Sequence, residues 1–147
     1  MTQKTLPLGW GISFNIFPVN LVHGLSNILH ATIGRDVGRI GYRIPAIWFR
    51  SGTTRLHICS AVSGGQNYCY NSFRDLPLFK QSFVIVQQIK TSRPRWYRYQ
   101  IIVNGIRVKS VINTKAEIFS NVKYYTSDPW YTPAKAVLTN FKLTFFE

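Results

Sequence analysis

Residues 44–72 read IPAIWFRSGTTRLHICSAVSGGQNYCYNS, and their alternation decides the fold. A two-residue turn at Gly52-Thr53 pairs Ser51 with Thr54, Arg50 with Arg55, Phe49 with Leu56, Trp48 with His57 and Ile47 with Ile58. Folding the next strand back about Gly64 sets Ile58 opposite Tyr70, Cys59 opposite Cys69 and His57 opposite Asn71. Successive side chains of a strand point to opposite faces. Ile47, Phe49, Leu56, Ile58, Tyr68 and Tyr70 therefore share one face, which is a core set. Trp48, Arg50, Arg55, His57 and Asn71 share the other, beside the cysteine pair. Inverting the assignment would expose four large aliphatic and aromatic side chains together.

The same period of two recurs along the chain. Ten runs show it: 10–17, 27–33, 44–50, 55–62, 67–70, 82–89, 96–103, 106–112, 121–125 and 136–146, separated by Gly, Pro, Asn and Ser clusters. Short strands at this spacing predict an all-β fold, a two-sheet antiparallel sandwich. In YQIIVNGIRVKSV (99–111) the Asn104-Gly105 pair marks a type I′ hairpin turn, whose central residues need positive φ. A regular ladder from that turn puts Ile101, Val103, Ile106 and Val108 in the core. It turns Arg98, Gln100, Arg107 and Lys109 to solvent. No repeat or composition shift divides the 147 residues, so residues 1–147 are expected to form a single domain.

Composition narrows the functions. Hydrophobic residues make up 46% of the chain, enough apolar area to offset the ordering entropy that keeps polar chains disordered. No apolar run approaches the ~20 residues of a membrane-spanning helix, and the first residues lack the pattern of a signal peptide. Eighteen Lys and Arg against five Asp and Glu give a formal +13, which favours anionic partners. The five acids are Asp36, Asp75, Glu117, Asp128 and Glu147, and no strand carries two of them. Glycoside hydrolysis, which needs two carboxylates flanking the scissile bond, is therefore not expected. Nor is a Gly-rich phosphate loop, a G-x-S-x-G elbow or a nucleic-acid-binding motif present. The reading is of a non-enzyme, with no metal or cofactor required. Cys59 and Cys69, opposed across a hairpin, either form a disulfide, implying an oxidising compartment, or are two free thiols; a zinc site lacks further ligands.

RIPAIWFRSGTTRLHICSAV (43–62), NYCYNS (67–72) and FSNVKYYTSDPWYTPAKAVLTNFKL (119–143) resemble a concanavalin A-like, laminin G-like β-sandwich domain of extracellular invertebrate proteins. WGISFNIFPVN (10–20), NILHATIG (27–34) and NGIRVKSV (104–111) extend the likeness in pattern to nearly the whole chain. The resemblance implies a jelly roll, an extracellular setting, and glycan or protein recognition. Such domains tend to carry a small or acidic residue where this chain has Tyr42, a departure that sets a calcium site in question.

Three constellations carry the functional expectation. Trp48, Arg50, Arg55, His57 and Asn71 combine one stacking plane with several hydrogen-bonding groups, as a sugar requires. Galectins use similar residue types on a concave sheet, though their motif is absent here. The competing reading is that Trp48 packs under a loop and the arginines are ordinary surface. Trp130 and Tyr131, with Tyr124, Tyr125, Asp128 and Pro129, either line a sugar pocket or cap one end of the sandwich; Asp128 is the best single calcium candidate. Arg93, Arg95, Arg98, Arg107 and Lys109, with Trp96 among them, form a basic patch suited to acidic or sulfated glycans. The expectation is a lectin-like domain. An adhesive module that binds protein or matrix, or a charge-driven polyanion binder, is the alternative, and the oligomeric state stays open.

Overall fold

The computed structural model describes residues 2–146, which form twelve β-strands and no helix. They are β1 (Thr2–Leu6), β2 (Gly9–Pro18), β3 (Ser26–Thr32), β4 (Ala46–Phe49), β5 (Leu56–Val62), β6 (Gly65–Asn71), β7 (Ser82–Lys90), β8 (Tyr97–Val103), β9 (Ile106–Asn113), β10 (Phe119–Tyr125), β11 (Thr132–Pro133) and β12 (Ala136–Phe146). All ten expected runs are strands. β1 and the two-residue β11 are additional, because neither TQKTL nor TP carries an apolar alternation.

The first sheet has the order β1-β10-β3-β4-β5-β6, antiparallel throughout, with β11 adding a short parallel pairing to β3. The second runs β12-β2-β7-β8-β9. Between them lies one core. Trp10, Ile12, Phe14 and Ile16 of β2, Val84 and Val86 of β7, and Tyr99 and Ile101 of β8 come from the second sheet. They meet Ile28, Leu29, Ile47, Phe49, Leu56 and Ile58 from the first. Each fully buried Leu, Ile or Phe contributes about 1.5–3 kcal/mol relative to exposure.

Both β4–β5 and β5–β6 have the expected register, including Trp48 opposite His57, His57 opposite Asn71 and Cys59 opposite Cys69. The β4–β5 turn closes one residue early. Thr53 N–H donates to Arg50 O with Gly52 at φ 66°, while Arg50 N–H still donates to Arg55 O. Asn104 (φ 50°) and Gly105 (φ 80°) form the β8–β9 turn, as their sequence requires.

Beyond that turn the regular ladder fails. Val103 pairs with Ile106 and Ile102 with Arg107, but Ile101 then pairs with Lys109 and Gln100 with Ser110. Val108 is the extra residue of a β-bulge, and one inserted residue reverses the facing of everything after it. Three expectations are corrected. Lys109 turns inward at the sheet edge, its ammonium 5.7 Å from the Tyr68 ring. Ile106 is 68% exposed instead of core. Gln100 keeps its outward facing but is buried among its neighbours rather than solvated.

Candidate functional site

The outer face of the first sheet, away from the core, carries Asn27, His30, Thr32, Ala46, Trp48, His57, Cys59, Cys69 and Asn71. Two loops roof it: residues 33–45, between β3 and β4, and 126–131, after β10. The junction between them is Arg43. Its Nε donates to Asp36 O (3.0 Å), its Nη2 to Asp36 Oδ1 (3.0 Å) and to the Tyr131 hydroxyl (3.0 Å), and its Nη1 to Asn67 Oδ1 on β6 (2.9 Å). Its guanidinium lies 4.7 Å from the centre of the Trp48 ring. Tyr131 O–H donates to Asp36 Oδ2 (2.8 Å), and burial beside that carboxylate pushes the phenol up to about 12.

Trp48 is 0% exposed beneath this roof, with the Tyr131 ring 5.3 Å away edge-on and the His30 ring 5.9 Å away. A stacking role on a sugar is therefore corrected: the indole is the floor of the face and no ligand reaches it. The reason is the roof, which a strand register cannot show.

His30 and Asp128 form a second buried junction, both side chains fully buried. His30 Nδ1 meets Asp128 Oδ2 at 2.7 Å and Nε2 meets Tyr42 O at 2.7 Å. The ring thereby bridges the Asp128 carboxylate and the Tyr42 carbonyl, one contact at each nitrogen. Asp128 Oδ1 also accepts the N–H groups of Trp130 and Tyr131. Asp128 thus holds a turn and a buried histidine, and it does not face solvent where a calcium ion would bind. Tyr42 contributes its backbone carbonyl, while its ring packs over Gly34, where a Cβ would come within 2.9 Å. Trp130 lies on His30 and Tyr125 with 37% of its surface open.

What remains accessible lies toward β5 and β6. The half-buried His57 ring sits 5.3 Å from Trp48, and its Nδ1–H donates to Asn71 Oδ1 at 2.6 Å. Burial, joined by the positive charge of Arg50 and Arg43, pushes the imidazole below 6.5 against the raising effect of Asn71. A neutral ring held this way leaves Nε2 facing Cys59 Sγ at 3.3 Å. Cys59 and Cys69 are joined in a disulfide, so these sulfurs hold the strands instead of serving as metal ligands. Arg50 and Arg55 are exposed, and Arg55 Nε lies 3.7 Å from Asp75 Oδ2. Asp75 also caps Thr54 N–H (3.0 Å) at the rim of an open cleft of about 410 Å³. The structure thus brings Arg50, Arg55, His57 and Asn71 toward one open end, with Trp48 beneath and Tyr131 tied into the roof.

The basic patch does not stay together. Arg93 stacks on Trp96 at 3.6 Å in the β7–β8 turn, where Arg95 adopts φ 68°. Arg98 and Arg107 face outward from the second sheet, with Arg98 Nη1 donating to Ser110 Oγ at 3.0 Å, and Lys109 leaves to the other side. Sequence reasoning missed Arg43, Asp36, Asn67 and His30. One signal was present: His30 sits in ILHAT, an otherwise apolar run, and a buried histidine needs partners from elsewhere in the chain.

No protein-family model matches the chain, and no curated protein matches its sequence. Solved structures do match in fold. A heptameric SAP-like pentraxin from Limulus polyphemus superposes with a TM-score of 0.62 at 12% identity, over 97% of this chain and 66% of that one. Mouse laminin alpha1 domains LG4-5 give 0.56 at 14% identity, over 95% and 38%. An alginate lyase from Alteromonas sp. 272 gives 0.55 at 10% identity, over 96% and 72%. The chain therefore spans about two-thirds of the pentraxin's length and well under half of the laminin fragment's. Its strand order, its two packed antiparallel sheets and these likenesses together establish the fold as a concanavalin A-like jelly-roll β-sandwich.

Proposed function

We propose that this chain is a non-catalytic carbohydrate-binding domain whose glycan docks at the open β5–β6 end of the first sheet. The observation that carries this reading is the His57–Asn71 pair, bonded at 2.6 Å on a floor of buried Trp48 and the Cys59–Cys69 bridge. A fixed floor lowers the entropy cost of presenting polar groups to a ligand. Asn71 keeps its amide N–H₂ for sugar hydroxyls, and Arg50 and Arg55 add donors for hydroxyls, carboxylate or sulfate. The His57 ring takes the stacking role first expected of Trp48.

The carboxylates support the absence of glycoside hydrolysis. Asp36 is engaged by Arg43 and Tyr131, Asp128 by His30, and Asp75 by Arg55 and Thr54. One solved neighbour is an alginate lyase, and a lyase leaves an unsaturated uronate. Incubation with alginate should therefore produce no new ultraviolet absorbance; a steady rise would replace the binding reading with an enzymatic one. A glycan array tests the site directly. A neutral glycan retained at high salt and lost in His57→Ala/Asn71→Ala supports the site, because screening weakens exposed ion pairs far more than neutral hydrogen bonds. Undiminished binding in that variant sinks the assignment, and silence across the array favours an adhesive module that binds protein.

A further inference from the structure

Among the described residues, no loop roofs the outer face of the second sheet as 33–45 and 126–131 roof the first. Reading the register across its five strands, one outward row is Lys142, Ser13, Ile85, Ile102 and Arg107. The next row places Thr144, Gln87, Gln100 and Ser110 around Gly11, with Arg98 reaching Ser110. Apart from Gly11 and Gln100, every residue in these rows is partly or fully open to solvent.

Two observations mark this face. The first is that, among the described residues, it is free of acids. Asp36 and Asp128 belong to the roof over the other sheet, Asp75 to the β6–β7 connection and Glu117 to the β9–β10 connection. Its charges are Lys142, Arg98 and Arg107, all of one sign. The second is Gln100, which is 7% exposed in the middle of the sheet and whose buried Oε1 has no hydrogen-bond partner among the described residues. A buried amide oxygen left unsatisfied carries a desolvation penalty, and a group that reaches it or reorients the amide recovers it.

We propose that this face binds an extended acidic polysaccharide, carboxylated or sulfated. It shares its ligand class with the preceding reading but none of its residues, so either can fail alone. Lys142 on β12 and Arg107 on β9 stand at the two ends of a row that spans about 19 Å, at ~4.8 Å per strand. A ligand that meets both ends is therefore a chain of several sugars. Between the ends, Ile85 and Ile102 offer aliphatic surface for the C–H faces of sugar rings, and Ser13, Gln87, Gln100 and Ser110 offer neutral donors and acceptors for hydroxyls. A second copy of this chain fits poorly. A two-fold pairing sets the same cations against themselves with no carboxylate among the described residues of the face to neutralise them.

The test uses the oxidised chain and four probes: heparin, alginate, neutral dextran and a single-stranded DNA. Heparin and alginate should bind and dextran should not. The variant R98A/R107A/K142A should lose about tenfold or more in affinity and flatten the salt dependence. Gln87→Ala/Gln100→Ala should weaken binding by about threefold or more while leaving the salt slope unchanged. Arg35→Ala/Arg39→Ala, which removes two exposed cations of the 33–45 loop on the opposite side of the sandwich, should stay within about twofold, and affinity should rise with oligosaccharide length until the row is spanned. Thermal melts confirm that each variant folds. Full binding by the triple variant overturns the proposal, as does equal loss in the Arg35/Arg39 variant, which would mean diffuse charge. Displacement of heparin by the DNA at matched charge also overturns it, as does sedimentation as a dimer that blocks heparin. Loss of a neutral glycan in the His57/Asn71 variant reports on the other site alone.

Discussion

The two outer faces of the sandwich start from the same alternation and end as opposites. On the first sheet, the outward residues Asn27, His30, Thr32, Ala46, Trp48 and Cys59 are all buried, because two loops close over them. On the second, Ser13, Ile85, Gln87, Ile102 and Ser110 keep solvent contact, with no described loop crossing them. The roofed face stores its polar groups as internal structure, the bare face as surface. A substitution should therefore cost folding stability on one and ligand affinity on the other.

The most severe way to break that contrast is Asp128→Ala. It takes the buried carboxylate away from the His30 ring and from the N–H groups of Trp130 and Tyr131, which should cost about 3–5 kcal/mol in chemical denaturation. A loss near zero would mean the roof is not structural. Next is Cys59→Ser/Cys69→Ser. The bridge closes a loop of sequence separation 10, so its removal should cost about 2–3 kcal/mol in the same assay. Ile85→Ser on the bare face should change stability by no more than about 0.5 kcal/mol, because the side chain is not in the core. A cost as large as that of the bridge would show this face to be covered in solution.

The smallest effect is a pH slope. Folded His57 titrates below 6.5 and the unfolded residue at 6.5, so below 6.5 the unfolded chain holds more protons. Its contribution to stability is therefore full above pH 6.5 and declines as the pH falls from there through the folded value. The difference in denaturation midpoint between His57→Gln and the parent chain, measured from pH 7.5 to 4.5 (roughly the span of histidine titration), should show that slope in the parent alone. Equal slopes would mean the ring is not held as described.

These contrasts also explain what the chain revealed before its structure was in hand. Residues 44–72 disclosed their own register because both hairpins are local and strictly alternating, so side-chain facing followed from counting. The roof was hidden because its bonds join distant parts of the chain. Tyr131 meets Arg43 across 88 residues, Asp36 across 95, and Asp128 meets His30 across 98. No periodicity reports such closures, so Trp48 looked like a ligand platform when it is a floor. The β8–β9 patch misled for a different reason. Arg107 and Lys109 keep their alternation in sequence, but Val108 is spent on a bulge, and the backbone rather than the side chains sends Lys109 away.

The strand order has a consequence for synthesis. β10 lies between β1 and β3, and β12 forms the outer neighbour of β2, so residues 119–146 complete both sheets. Until β10 emerges from the ribosome, β1 has no partner and β3 has an unpaired edge; until β12 emerges, so does β2. A nascent chain that already carries most of its apolar residues thus exposes strand edges in both layers, the geometry that recruits other chains. His30 waits as long, since Asp128 arrives 98 residues after it. The vulnerable interval therefore lasts until residues 119–146 have emerged, when the roof and both sheets are completed by the same stretch of chain.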